Sequence, residues 1–519
     1  MAQSYFGPAL YLSDILNIKL AYKRYKLNND KSSLFPFSGF PHTQLDKYLK
    51  ILVQDLGHTV VLVEEYQRES AADLLPRQVG RVVTPGTLVD ESWMNGDESR
   101  YLLAIAVGDT TPAVRKGENV SLALSLAYTD VSTGEFFAKD TTLAQMEDEL
   151  ARIAPREVVL DKSLKKLWLA QTDKLSSSDD EKGTVEDLLI LLRVLGVHVS
   201  FADPYQPPEL DRPAPFADLP APYPSSLEGL AISLLRHHLQ FALRDSMPEL
   251  PSEPNRQFSS EHMQIDAATL HALEIRHAIR PGGLVTANES RGSSPLSARG
   301  TLLSVLNATI TPSGHRLLIR SLTTPSTSLN VINSRLALVQ AFVDREELRT
   351  ELRGMIKSLG DIVRIVQRFR ARGGDGRNIW EVGRWIRAVS RVLDRIRHEL
   401  SHETSLSATG EKRSKGVTRL QDLLSLFQPL DKLLKRIEES IDEEAVLRGL
   451  EAGENSEEAE GEEVRGEVPE EDQPLPKKKS DKNAIKREVT ELAREEKEDL
   501  MWWIRPKYVI HFDTKLPGD

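Results

Sequence analysis

The chain has 519 residues, with 67 Lys+Arg against 78 Asp+Glu and a formal net charge of −11 at pH 7. Its 40% hydrophobic and 28% charged composition excludes a wholly disordered chain and leaves room for about three or four domains. There is no cysteine, which excludes disulfides, zinc–thiolate sites and cysteine nucleophiles, and no run of ~18 apolar residues, which excludes a membrane-spanning helix.

The N-terminal stretch lacks the compact apolar core and small-residue cleavage site of a secretory signal. Lys19, Lys23, Arg24 and Lys26, beside Leu12, Ile15, Leu16 and Ile18, imitate a mitochondrial presequence. Asp14 and the scarcity of arginine favour an ordinary domain segment. Residues 45–56 place Leu45, Tyr48, Leu49, Leu52 and Leu56 on one helical face, with Gly57 as the C-cap, and a strand follows at 59–65. From Tyr101, the segments YLLAIAV, SLALSLAYTDV and GEFFA read as strands, the last two joined by a Ser-Thr-Gly turn. A helix over 142–153 and a strand at 157–160 continue an alternation that predicts mixed α/β layers.

Residues 203–226 carry eight prolines, too many for a helix or a central strand, and predict a stiff linker. Helical patterning follows from 227 to about 445. Over 379–400, Val382, Trp385, Ile386, Val389, Leu393, Ile396 and Leu400 form one stripe. Residues 451–472 hold eleven acids and one base (Arg465), a balance of −10 that leaves −1 for the rest of the chain. This tract, with the Pro- and Lys-rich residues that follow to 480, predicts disorder. Residues 483–500 read as one more helix, and 502–512 as an element entering a strand.

Asp130 ends one strand of a hairpin like that which opens ribonuclease-H-like domains, where a strand Asp holds a catalytic metal. Two-metal hydrolysis needs several converging carboxylates. Asp140, Glu147 and Asp161 are near in sequence without a diagnostic setting, so a scaffold Asp is the expectation. His237, His238, His262, His271 and His277 invite a metal reading, but His271 and His277 are six apart and do not share a helical face, so no metal site is expected. Residues 364–397 hold ten arginines and three acids. Arg364, Arg368 and Arg372 recur at every fourth position, and Arg384, Arg387, Arg391 and Arg395 line the side opposite the apolar stripe. Arginine forks suit phosphate contacts; a solvated helix face is the competing reading. No Gly-Lys dipeptide occurs, hence no Walker A motif, and no GxGxxG occurs, so neither nucleotide binding nor catalysis is expected of this chain.

Two stretches carry a family resemblance. The first is PFSGFPHTQLDKYLKILVQDLGHTVVLVEEY (36–66) with GRVVTPGTLVDE (80–91). The second is MQIDAATLHALEI (263–275) with GTLLSVLNATITPSGHRLLIRSLTTP (300–325). Both resemble the MutS mismatch-repair family, the second through Asp266, Ala268, Thr269, Leu273 and Glu274, then Gly300, Leu302, Leu303, Leu306, Thr309, Thr311, Gly314 and Arg316. The wording around 52–56 and the charged insertions look most like fungal mitochondrial homologues.

The resemblance implies a multidomain α/β plus α chain. A partial mismatch-recognition domain is expected over 1–95 and a ribonuclease-H-like connector without nuclease activity over 100–202. The linker at 203–226 then leads to a helical core/lever domain over 227–450, an acidic disordered insertion over 451–480, and a lever helix with the start of a clamp over 481–519. It implies duplex and mismatched DNA as partners, with other mismatch-repair proteins, and no membrane. Lys23 and Arg24 match a backbone-contacting stretch, with a solvated turn as the alternative. The family's G-x-F-Y-E wedge has no match here; Phe6 aligns with the following helix. ATP and Mg belong to an ATPase domain expected beyond Asp519, so the chain reads as truncated at both ends, without its main dimerisation domain. The implied compartment is mitochondrial, with a nuclear alternative. The rival reading is a stand-alone module that binds repair partners or DNA backbone without sensing mispairs.

Overall fold

The computed structural model describes residues 2–26, 32–41, 44–65, 77–89, 94, 96–108, 122–170, 184–203, 226–248, 250–258, 260–276, 300–371, 374, 376–406, 415–441, 443, 446 and 508–512. The expected linker, acidic insertion and helix at 483–500 lie outside these residues, apart from the linker's first and last positions. The chain divides into one unit of Met1–Pro85, Ala242–Arg244 and Glu444–Asp519, and a second of Gly86–Phe241 and Asp245–Glu443.

In the first unit, β1 (Ala2–Tyr5), α1 (Phe6–Ile15), β2 (Leu20–Lys26) and β3 (Ser32–Phe40) are followed by α2 (Leu45–Leu49), which runs on as a π-helix over Lys50–Asp55. Leu45, Leu49, Leu52 and Val53 are the buried face of this helix, and it stops before Gly57, which takes φ +68°. β4 (Val60–Glu65) and β5 (Arg77–Val83) come next. Six strands form one sheet in the order β2, β3, β1, the strand Tyr508–Phe512, β4, β5. β3 contains Pro36, which lacks a ladder donor. It pairs with Tyr22 of β2, and the pairing of β1 along the other side of β3 ends at Phe37, so the missing N–H costs nothing there. The 502–512 expectation is met by Tyr508–Phe512, whose place is between β1 and β4.

The second unit opens with β6 (Tyr101–Val107), β7 (Ala123–Asp130) and β8 (Glu135–Thr142), an antiparallel meander. α3 (Met146–Ile153) crosses back to β9 (Glu157–Asp161), parallel to β6; α4 (Lys165–Ala170) and α5 (Val185–Val194) lead to β10 (His198–Ala202), parallel to β9. The sheet runs β10, β9, β6, β7, β8 and, after α6 (Leu227–Leu243), a short β11 (Asn255–Arg256) beside β8. Its core joins Leu103, Ile105, Leu126, Tyr128, Val158 and Leu160 of the strands to Met146, Leu150, Leu188 and Leu192 of the helices. The strands are apolar on both faces because helices and loops cover both.

Short helices then carry the resemblance segment: α7 (Ala267–Ala272), α8 (Leu302–Leu306) and α9 (Pro312–Thr323). Each begins on a side chain that satisfies an orphan N–H, as Asp266 accepts from Thr269, Thr301 from Ser304 and Thr311 from Gly314. The helical body continues with α10 (Leu329–Val343), α11 (Glu346–Ile356), α12 (Ile362–Arg370), the long α13 (Gly376–Leu406), α14 (Lys415–Ser425) and α15 (Asp431–Ser440). Ala341, Leu400, Val417 and Leu420 make its small core where α10, α13 and α14 meet.

Candidate functional site

The arginines on α13 hold the strongest sequence claim to a phosphate-binding surface. Of the stripe opposite them, Ile386 and Leu400 are buried and the remaining members half-buried. Arg387 sends its Nε to Glu438 of α15 at 2.9 Å, and Arg395 sends its Nε to Glu351 of α11 at 2.6 Å and one Nη to Glu399 at 2.9 Å. These two arginines therefore tie helices together. Arg384 stacks on the Trp380 ring at 4.8 Å and stays exposed, as does Arg391. The row of four is thus two ion-paired and two exposed side chains. Lys23 and Arg24 lie on β2, opposite Phe35 and Leu34 of β3, in regular strand rather than a turn; their side chains lie outside the described residues.

Arg364 is the departure from the sequence pattern. Its guanidinium is buried, donates to the Glu98 carbonyl at 2.8 Å and lies 3.8 Å from Asp361. Arg316 forks onto both oxygens of Asp361 at 2.7 and 3.1 Å and also donates to the Gly96 carbonyl at 2.6 Å. Arg320 meets Glu135 at 2.7 Å, and the Tyr101 hydroxyl donates to the same carboxylate at 3.0 Å. Burial pushes the Asp361 carboxyl up, but Arg316 outweighs it and holds it below the usual carboxylate range. Ser99, Tyr101, Thr133, Glu135, Ser313 and Arg316 line a cavity of about 110 Å³ at this seam. Bidentate Arg–carboxylate pairs of this sort fix orientation as well as proximity.

Asp130 is 0% exposed. One carboxylate oxygen accepts from the Arg100 N–H at 3.0 Å, the other from the Ser132 N–H at 3.0 Å and its hydroxyl at 2.7 Å. Burial raises its pKa above the usual range despite these donors. A carboxyl closed to solvent and already engaged through both oxygens is built to hold the 131–134 turn rather than a hard cation.

A second buried carboxylate escaped the sequence reading. Glu157, at the start of β9, is fully buried and receives the Gly86 N–H at 3.0 Å and the Ser200 hydroxyl at 2.5 Å, and His238 Nε2 stands 3.0 Å away. Burial alone would push it up, but His238, His198 and Ser200 prevail and hold it at about 2. A Cβ at position 86 would stand 2.8 Å from the Glu157 Cβ, so the close approach needs glycine there. Gly86 belongs to the TPGT run, and that was the only signal; its partner lies 71 residues on. His238, itself buried, is thus a neighbour of Glu157 in the core. His277 lies outside the described residues. Among the described residues no group of three or more His, Asp or Glu converges as a metal-binding set.

Comparison with known proteins adds three matches in chain order: the model of MutS domain I over residues 3–92, of MutS domain II over 101–187 and of MutS domain III over 268–502. Similar proteins include the DNA mismatch repair protein MutS of Methanothrix thermoacetophila, 26% identical over 422 residues, 81% of this chain and 42% of the relative. That of Rickettsia canadensis is 26% identical over 73% of this chain and 39% of its own, and that of Cereibacter sphaeroides 28% over 71% and 37%. The chain spans about two fifths of the length of these curated relatives.

Proposed function

Since this chain belongs to the MutS family and carries its domains I, II and III in order, we propose that it serves DNA mismatch repair as the DNA-holding and signal-carrying portion of an ATP-dependent machine. The unbroken order of the three domain matches carries this reading. The first unit, which carries the domain I match, holds the duplex by its backbone. The second unit supplies connector and lever. The strand order β10, β9, β6, β7, β8, with its antiparallel meander and two parallel additions, supports a ribonuclease-H-like connector. The enclosed carboxylate of Asp130 supports one that does not cleave. Arg384 and Arg391, exposed on α13, supply cations for phosphate contacts that position the duplex. The chain itself is no enzyme: ATP and Mg, and the family's main dimer contact, go with the ATPase portion outside the three matched domains. Its compartment is the mitochondrion, on the resemblance to fungal mitochondrial homologues, with the nucleus as alternative.

One observation favours the rival, a stand-alone module that binds repair partners or DNA backbone without sensing mispairs. The ion-pairing of Arg387 and Arg395 halves the free cation row that DNA would meet. Fluorescence anisotropy with a homoduplex and a single-mismatch duplex separates the two. The mismatch-repair reading predicts tighter binding of the mismatched duplex with a steep salt dependence, and replacing Arg384 and Arg391 with Gln lowers the log–log salt slope by about 1 to 2, whereas equal affinities for the two duplexes support the rival. No binding at ~50 mM salt would leave the docking module in possession.

A further inference from the structure

The turn between β7 and β8 is seated on α12. Arg364 and Gln367 lie one turn apart on that helix and are 7% and 5% exposed. A Cβ at Gly134, where φ is +72°, would overlap the Gln367 side-chain amide, so the turn meets the helix through a glycine. Arg364 donates to the Glu98 carbonyl at 2.8 Å, and two residues further on the Arg100 N–H donates to the Asp130 carboxylate at 3.0 Å. The segment 98–100 is therefore gripped at one end by a cation of the helical body and at the other by a carboxylate of the sheet.

These two charges act on each other. Burial pushes the Asp130 carboxyl up, and Arg364 pulls against it. Burial pushes the Arg364 guanidinium down, and Asp130 opposes this more than Asp361 does. The neighbouring acids have cations of their own: Glu135 meets Arg320, Asp361 meets Arg316 and Glu98 meets Arg156. Arg100, which burial and Arg156 push down to about 10, belongs to the sheet side and travels with Asp130. Arg364 comes from the other side. We propose that Arg364 is a positioning residue, the counter-charge that the helical body lends to Asp130, so that the seating of α12 on the 130–134 turn depends on charge. Without that cation the enclosed carboxylate is left to be relieved by a proton or by water. In the mismatch-repair reading, on which the names rest, this is the joint between connector and lever.

Peptide-resolved hydrogen exchange on the full chain reads this locally, since the Ser132, Thr133 and Gly134 N–H groups all donate to Asp130. A carboxyl held above its unfolded value costs stability while ionised, and the cost fades as pH falls through the folded value. Arg364→Met is therefore expected to lower the protection of residues 130–135 by roughly tenfold or more at about pH 8, and by clearly less at about pH 5, after correction for intrinsic exchange. Adding Asp130→Asn removes the pH dependence and most of the loss. Arg364→Lys, which keeps the charge, retains most of the protection. Unchanged protection in β6 and β9 shows that each variant is folded. A lost hydrogen bond to Glu98 or lost packing would instead give a deficit equal at both pH values and in both backgrounds, and that result overturns the proposal. So does full protection in Arg364→Met, or a Lys variant that falls as far as Met. If Arg364→Met does not fold, the double variant must, and its failure also overturns the proposal. DNA binding by the wild-type chain tests the mismatch-repair reading separately, and its absence would leave the exchange result standing.

Discussion

At the scale of single residues, Glu157 shows why a carboxylate can sit in a core. Its charge is met by two donors and by the His238 ring, from three parts of the chain, and none of them is close in sequence. Its pKa, about 2, lies below that of a carboxylate in the unfolded chain. A depressed carboxylate adds stability above the unfolded pKa and loses it as pH falls toward the folded one, here from about 4.5 down to 2. Glu157→Gln keeps the shape and removes the charge that His238 faces. Urea unfolding at neutral pH is expected to report a loss of roughly 2–4 kcal/mol. The variant should also lose the wild type's decline between about pH 4.5 and 2. An unchanged acid limb would mean that the pair carries no weight. Asp130 is the contrasting case, since its raised pKa makes the charge a burden that its donors only partly relieve. Asp130 was legible as a scaffold residue at a turn, whereas the role of Glu157 was not legible in the sequence. Periodicity identifies which face of a strand is buried, and Glu157 gains its meaning from partners that periodicity does not reach.

At the scale of elements, legibility followed the strength of the pattern. The strands YLLAIAV and EVVL and the α13 stripe were readable because apolar runs and 3.6-residue spacing are local properties. The arginine rows were readable as rows and not as contacts. Arg387 and Arg395 point to acids on other helices, and Arg364 enters the seam beside Glu98. β2, β3 and α5 went unread, having a composition suited to more than one state. The meeting of α10 and α14 rests on a close backbone approach at Gly416. A Cβ there would overlap the Ala337 carbonyl oxygen and stand 2.7 Å from the Ala341 Cβ. Gly416→Ala, neutral or better in an isolated helix, should instead destabilise the helical body by about 1–3 kcal/mol through overpacking. A thermal melt reads this, and a rise in melting temperature would show that the two helices can part without loss.

At the scale of the whole molecule, the two units differ in how their chain is spent. The second is built from neighbouring segments, with connections that return at once to the same sheet. In the first, the strand Tyr508–Phe512 sits between β1 and β4. Without it the six-stranded sheet divides into a β1–β2–β3 part and a β4–β5 hairpin, each with a bare edge. Removing residues 508–519 should therefore leave the second unit's hydrogen-exchange protection intact and abolish that of β1 and β4, with aggregation through the exposed edges. Retained protection in β1 would show that this sheet stands without its sixth strand. The same arrangement sets a timetable. β1 is made well before its second partner, the strand Tyr508–Phe512, which follows some tens of seconds later at about 5–20 residues per second. The second unit can finish folding in that interval. Through that interval β1 and β4, each paired on one side only, keep a bare edge and depend on whatever in the cell shields it.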